Sequence, residues 1–190
     1  MKAFYSTIFL LKNVKTFNII QKSILVVLGS AILGVSAHIY IPTIPVPFTM
    51  QSLSVMLIAS QLGSRLAVLS VLLYVVEAFI GFPVTTIKAA GMGLFMAPSF
   101  GYIIGYIFMA YIIGLMKDNG HNKKISTSLP YILIGNQVMF AIGVLFLSYF
   151  LGSFEKGFLL GYVPFVLFDL IKVAIVVLSI NAVARFTNKI

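Results

Sequence analysis

The sequence predicts an all-α integral membrane protein, a bundle of six transmembrane helices with both termini in the cytoplasm. Composition, the spacing of apolar runs and the placement of basic residues predict it. Of 190 residues, 61% are apolar and 9% charged, with a mean hydropathy of +1.10. A soluble domain carries about 25% charged residues. The solvent of this chain is lipid. A helix needs roughly 20 mostly apolar residues to cross the hydrocarbon core, so six spans use most of the chain and leave no room for a soluble domain.

Residues 1–22 form a basic N-terminal segment with Lys2, Lys12, Lys15 and Lys22. Its apolar stretch is too short for a signal peptide and lacks a small-residue cleavage site; a partly helical stretch on the inner membrane surface is expected. Residues 23–190 form the membrane domain. Apolar runs cover 23–41, 48–62, 65–80, 98–116, 129–150 and 163–183. Between them lie turn-forming stretches at 42–47, 63–64, 81–97, 117–128 and 152–162.

Alternating the runs across a bilayer puts Lys2, Lys12, Lys15, Lys22, Arg65, Lys117, Lys123, Lys124, Arg185 and Lys189 on one side. The other side holds Lys88 and Lys156, and Lys172 falls inside the last run. Ten basic residues against two make the first side cytoplasmic. The net charge of +9 is thereby explained by topology in the cell membrane, with no call for nucleic acid.

Two outer connections are unusual. Residues 81–97 are long for a loop yet apolar, and long loops of this kind are commonly functional. The second run has at most fifteen residues, about 22 Å of helix against a core of about 30 Å. The Pro-rich stretch 42–47 must supply the missing length, and irregular backbone at that depth is tolerated only where it is buried in protein or lines a cavity. Both features predict a cavity in the outer half.

Asp169 and Lys172 are an ionisable pair deep in an apolar run, three residues apart and so on one helix face. Charges in that setting are costly unless paired or wetted, which favours a functional role over a structural ion pair. Gln51 and Thr49 bring polar groups to the first turn of the second helix, which Pro47 is expected to start. Tyr74 shares a face with Glu77 on the third helix, and Glu77 fits the headgroups as well as a site. Lys88 is either a snorkelling lysine or a cation facing a ligand carboxylate. Asn136 and Gln137 are expected to hydrogen-bond between helices. His38 and His121 lie at opposite ends of the bundle and share no role. Ser30 and Gly34 make a small-residue stripe, which suits close approach of a partner helix and packing within the bundle equally well.

No cysteine is present, so neither a disulfide nor a thiolate metal site is expected, and no other metal or cofactor site is read. The phosphate-binding loop of nucleotidases is missing, so energy for transport has to come from another protein or an ion gradient. The Ser-His and His-Glu sets of membrane proteases are missing too.

Four stretches together resemble a known family: IPTIPVPFTMQ at 41–51, LGSRLAVLSVLLYVVEAFIGFPV at 62–84, GMGLFMAPSFGYIIGY at 91–106 and GYVPFVLFDLIK at 161–172. Order, spacing and residue types agree with the BioY family, the biotin-specific substrate-binding components of energy-coupling factor transporters. The resemblance runs from the first apolar run to the C-terminus and leaves residues 1–22 outside. It implies a six-helix bundle, a biotin pocket near the outer face and no enzymatic activity. As partners it implies a transmembrane coupling subunit and ATP-binding cassette ATPases, docked partly through Ser30 and Gly34. It places Asp169 and Lys172 on the family's binding pair and Gly91 in the Gly-x-Gly after the outer loop. Where relatives are Gly-rich, this chain has Thr85, Thr86, Ile87 and Lys88, so either Lys88 or Lys172 is the cation for the ligand carboxylate. Phe48, Tyr74, Phe82, Met92 and Phe168 are expected to line the pocket. The rival readings are a sister subunit for another vitamin, an ion-coupled carrier, for which no inverted repeat is evident, and a membrane enzyme.

Overall fold

The computed structural model describes residues 16–87, 91–122 and 124–187. Each of the six apolar runs folds as a helix. The first, α1 (Ile19–Ala37), opens with a capping box in which the Asn18 side chain accepts from the Gln21 N–H at 2.9 Å and the Gln21 side chain accepts from the Asn18 N–H at 3.1 Å. The helix therefore begins inside the stretch expected as a separate basic segment, whose residues 1–15 lie outside the described ones.

After α1 the chain reverses through a small antiparallel ribbon, β1 (Tyr40–Ile41) and β2 (Phe48–Thr49), paired Tyr40 to Thr49 and Ile41 to Phe48. The fold is mostly helical rather than all-α. Pro42, Pro45 and Pro47 each lack a backbone N–H and cannot continue a helix, so the extended residues beside them pair with one another. Pro47 accordingly does not start a helix; α2 (Gln51–Leu62) begins after the ribbon.

Gly63 turns α2 directly into α3 (Ser64–Phe79) with a φ of 84°, a conformation that L side chains rarely adopt. A Cβ at Gly63 would also strike the Asp118 carboxylate, which accepts from the Ser64 N–H at 3.0 Å and from the Ser64 hydroxyl. A residue of another helix thus caps the start of α3.

The connection expected as a loop at 81–97 contains a short helix, α4 (Met92–Phe95), before α5 (Phe100–Asp118) and α6 (Ile125–Leu151). These two long helices pack closely at the centre. At Gly105 a Cβ would come within 2.8 Å of the Met139 carbonyl oxygen, so only glycine permits this approach, the usual device for helix association in lipid. The stretch 152–162 is also helical, as α7 (Phe154–Gly161), because Ser153 caps its start and Glu155 sits in the first turn. The chain ends in α8 (Val163–Thr187).

Four of these helices, α1, α5, α6 and α8, are long and apolar enough to cross a membrane. At 12 residues, α2 is about 18 Å long, and the ribbon and the 81–87 segment meet at one end of the bundle, where residues 46–49 and 85–87 line a common cavity.

Candidate substrate-binding site

At that end, β2, the first turn of α2, the 85–87 segment, the start of α5, the middle of α6 and the start of α8 enclose a cavity. Asp169 and Lys172 lie on its wall, and each residue is no more than 4% exposed. Asp169 is six residues into α8, about 9 Å below its start.

Lys172 Nζ sits 2.8 Å from Asp169 Oδ1. It also donates to the Ser52 hydroxyl at 2.7 Å and to the Thr49 carbonyl at 2.9 Å. An ammonium has three hydrogens, and these three acceptors take them all. The cation lies 4.1 Å from the centre of the Phe48 ring, within reach of a cation–π attraction. The Ser52 hydroxyl donates in turn to Asp169 Oδ1 at 3.3 Å. Asp169 Oδ2 is buried and has no hydrogen-bond partner among the described residues. The pair is thus closed on one side and presents a single strong acceptor on the other.

Gln51 lines the cavity next to this pair. Its amide donates to the Tyr74 hydroxyl at 2.8 Å and its carbonyl accepts from the Thr49 hydroxyl at 3.3 Å. Tyr74 is fully buried behind Gln51 rather than on the wall, and its hydroxyl also meets the Thr85 side chain. Gly91 is not on the wall either. It adopts a φ of 57° at the start of α4 and donates its N–H to the Phe79 carbonyl at 2.8 Å, which shapes the connection. Lys88 lies outside the described residues. Of the expected apolar lining, Phe48 is in place, held against Phe168 with ring centres 5.0 Å apart. Phe82, Met92 and Phe168 are each more than half exposed and leave the lining to Phe140, Phe165, Tyr102 and Tyr106.

The small-residue stripe of α1 faces inward. Ser30 and Gly34 are both buried; the Ser30 hydroxyl donates to Glu77 on α3, and a Cβ on Gly34 would come within 3.3 Å of Val84 Cβ. The packing alternative accounts for both residues and leaves neither open to a partner helix. Glu77 finds its donor within the bundle. Gln137 accepts at 3.0 Å from Tyr162 in the turn between α7 and α8 rather than from another helix, whereas the carbonyl oxygen of buried Asn136 has no hydrogen-bond partner among the described residues. His38 and His121 bond locally, to the Gly34 carbonyl and to Tyr131.

Reading the sequence singled out Gln51 but missed Ser52 beside it. Its only signal was its place in the same polar first turn of α2.

The family model described as "BioY family" matches residues 10–189, beginning within the N-terminal stretch that the resemblance had left out. A "Biotin transporter BioY" of Thermotoga maritima is 35% identical over 149 residues, 78% of this chain and 87% of the relative. "Biotin transporter BioY2" of Lactococcus lactis is 34% identical over 173 residues, 87% of this chain and 92% of the relative. A solved S-component for biotin from an ECF-type ABC transporter superposes with a TM-score of 0.75 at 23% identity, covering 90% of this chain and 95% of that one. At that identity the structural likeness speaks for the fold, while the family match spans nearly the whole sequence. On that evidence, this chain belongs to the BioY family.

Proposed function

We propose that this multi-pass membrane protein captures biotin as the S component of an energy-coupling factor transporter, and that Asp169 reads the ureido ring. The observation that carries the assignment of the site is Asp169 Oδ2, a buried acceptor on a cavity wall with no partner among the described residues. Biotin brings two ureido N–H donors, a carbonyl, an apolar sulfur ring and a chain ending in carboxylate. One ureido N–H meets Asp169 Oδ2 in a charge-assisted bond, while the sulfur ring takes the aromatic wall of Phe48, Tyr102, Phe140 and Phe165. Lys172 neutralises Asp169, and its three hydrogens are engaged within the protein. The carboxylate then falls to Lys88, which follows Thr85, Thr86 and Ile87 of the cavity lining in sequence. Gln51 and Tyr74 brace the wall, and Gly91 shapes the connection behind it.

All six helices of the apolar runs, α1, α2, α3, α5, α6 and α8, cross the cell membrane in this reading, with both termini cytoplasmic and biotin entering from outside. The ribbon and the 81–97 connection make up the deficit of the short α2. The chain performs no chemistry of its own. A transmembrane coupling subunit and ABC ATPases supply the energy, and the face of α1 that stays exposed, including Val27, Ala31 and Val35, is open to them where Ser30 and Gly34 are not.

Titration calorimetry of purified protein, stripped of bound ligand, tests the assignment with biotin, thiamine and riboflavin. Biotin alone should bind. Saturable heat with thiamine or riboflavin and none with biotin would move the chain to a sister subunit.

A further inference from the structure

Several serines in the helices of this protein bond back along their own helix, although Ser30 turns to Glu77 and Ser64 to Asp118. Ser36, Ser60, Ser70 and Ser179 each donate to a carbonyl three or four residues back on their own helix, the usual behaviour of a hydroxyl in an apolar helix. Ser52 departs from it. The carbonyl three residues back, that of Thr49, accepts from Lys172, and the Ser52 hydroxyl turns across to α8. There it accepts from Lys172 at 2.7 Å and donates to Asp169 Oδ1 at 3.3 Å, which fits its single hydrogen and its lone pairs.

This geometry has a consequence for Asp169. The two oxygens of a carboxylate exchange by rotation about the Cβ–Cγ bond, so which one faces the cavity depends on what holds the other. Both observed ties, from Lys172 and from Ser52, fall on Oδ1. They come from different directions, one along α8 and one from α2, and Oδ2 is left without a partner among the described residues. With Lys172 alone, a single tie rather than two would decide which oxygen faces the cavity.

We infer that Ser52 is a positioning residue for ligand recognition: it locks Asp169 so that Oδ2 is presented to an N–H donor of the bound ligand. Resting on the assignment of Asp169 to the biotin ureido group, it adds a residue that acts through that carboxylate. Ser52 lines the cavity too, but its hydroxyl is engaged by Lys172 and Asp169, so its effect runs through orientation rather than a hydrogen bond of its own to the ligand.

The test compares biotin with an analogue methylated on both ureido nitrogens, which keeps the ring and removes the donors. Affinities are measured by displacement of radiolabelled biotin from the full chain in nanodiscs, for the parent protein, Ser52→Ala and Asp169→Asn. Ser52→Ala should weaken biotin roughly 5- to 30-fold, less than the roughly 10- to 150-fold expected for full loss of a hydrogen bond to a charged group, because the ligand's bond to Asp169 is misdirected rather than removed. It should weaken the methylated analogue far less, so the preference for biotin shrinks. Ser52→Cys, close in size and weak as a donor, should move in the same direction and stands in if the alanine variant does not fold. Equal weakening of both ligands would make Ser52 a packing residue and overturn the inference, as would unchanged affinity for biotin. If Asp169→Asn sharply weakens biotin while Ser52→Ala leaves the preference intact, only the positioning role fails. If Asp169→Asn itself binds biotin like the parent, the assignment of the site fails with it.

Discussion

Replacing Asp169 by asparagine separates a binding carboxylate from a structural one, because the two oxygens of Asp169 have unequal surroundings. Oδ1 faces two donors, Lys172 Nζ at 2.8 Å and the Ser52 hydroxyl at 3.3 Å, so the asparagine carbonyl takes that side. Its amide nitrogen is then turned to where Oδ2 stood. An N–H of the ligand meets another donor in place of an anion, and the charge-assisted bond is lost. Such bonds contribute about 1.5 to 3 kcal/mol, so biotin affinity should fall roughly 10- to 150-fold. The substitution also leaves Lys172 buried at 4% exposure without its counter-ion, and breaking a buried pair in this way destabilises by about 3 to 5 kcal/mol. Thermal stability in detergent should therefore drop as well. Calorimetry at a temperature where the variant is folded and monodisperse isolates the binding term. Unchanged affinity in folded Asp169→Asn would return the pair to a structural salt bridge and move the site elsewhere.

Other substitutions test the remaining assignments. Lys88→Met should reduce the preference for biotin over its methyl ester, read by competition binding; an unaltered preference would take the carboxylate away from Lys88. Gly34→Leu places a side chain against Val84, already 3.3 Å from a bare Cβ, and overpacking of this kind costs about 1 to 3 kcal/mol. Because Thr85 and Thr86 of the same segment line the cavity, biotin binding by the isolated chain should weaken together with uptake. Loss of uptake with intact binding would restore Gly34 to a docking role. Epitope tags at either terminus should resist external protease in intact cells, and cleavage of either without lysis would refute the six-span topology.

Much of this architecture is legible in local chemistry. The apolar runs find the six helices α1, α2, α3, α5, α6 and α8 because each must satisfy its own backbone within lipid. The proline spacing at 42, 45 and 47 marks a segment that cannot be helical, and the i, i+3 spacing of Asp169 and Lys172 puts them on one face before any neighbour is known. The short helices α4 and α7 were not read, since Met92–Phe95 is a single turn and Phe154–Gly161 is only eight residues long.

What the sequence by itself determined is therefore the set of long helices, their apolar character and the buried ion pair. Only the tertiary structure decided what each face meets. Lys172 reaches Thr49 and Ser52 across 123 and 120 residues of chain, and no local pattern encodes those encounters. The same holds for the inward turn of Ser30 and Gly34, the outward turn of Phe82 and Met92, and the choice of Tyr102, Phe140 and Phe165 for the wall. In water, hydrophobicity sorts residues between core and surface. In a bilayer the tails are as apolar as the core, so that sorting vanishes, and which side of a helix faces protein is set by packing and polar pairing between distant segments.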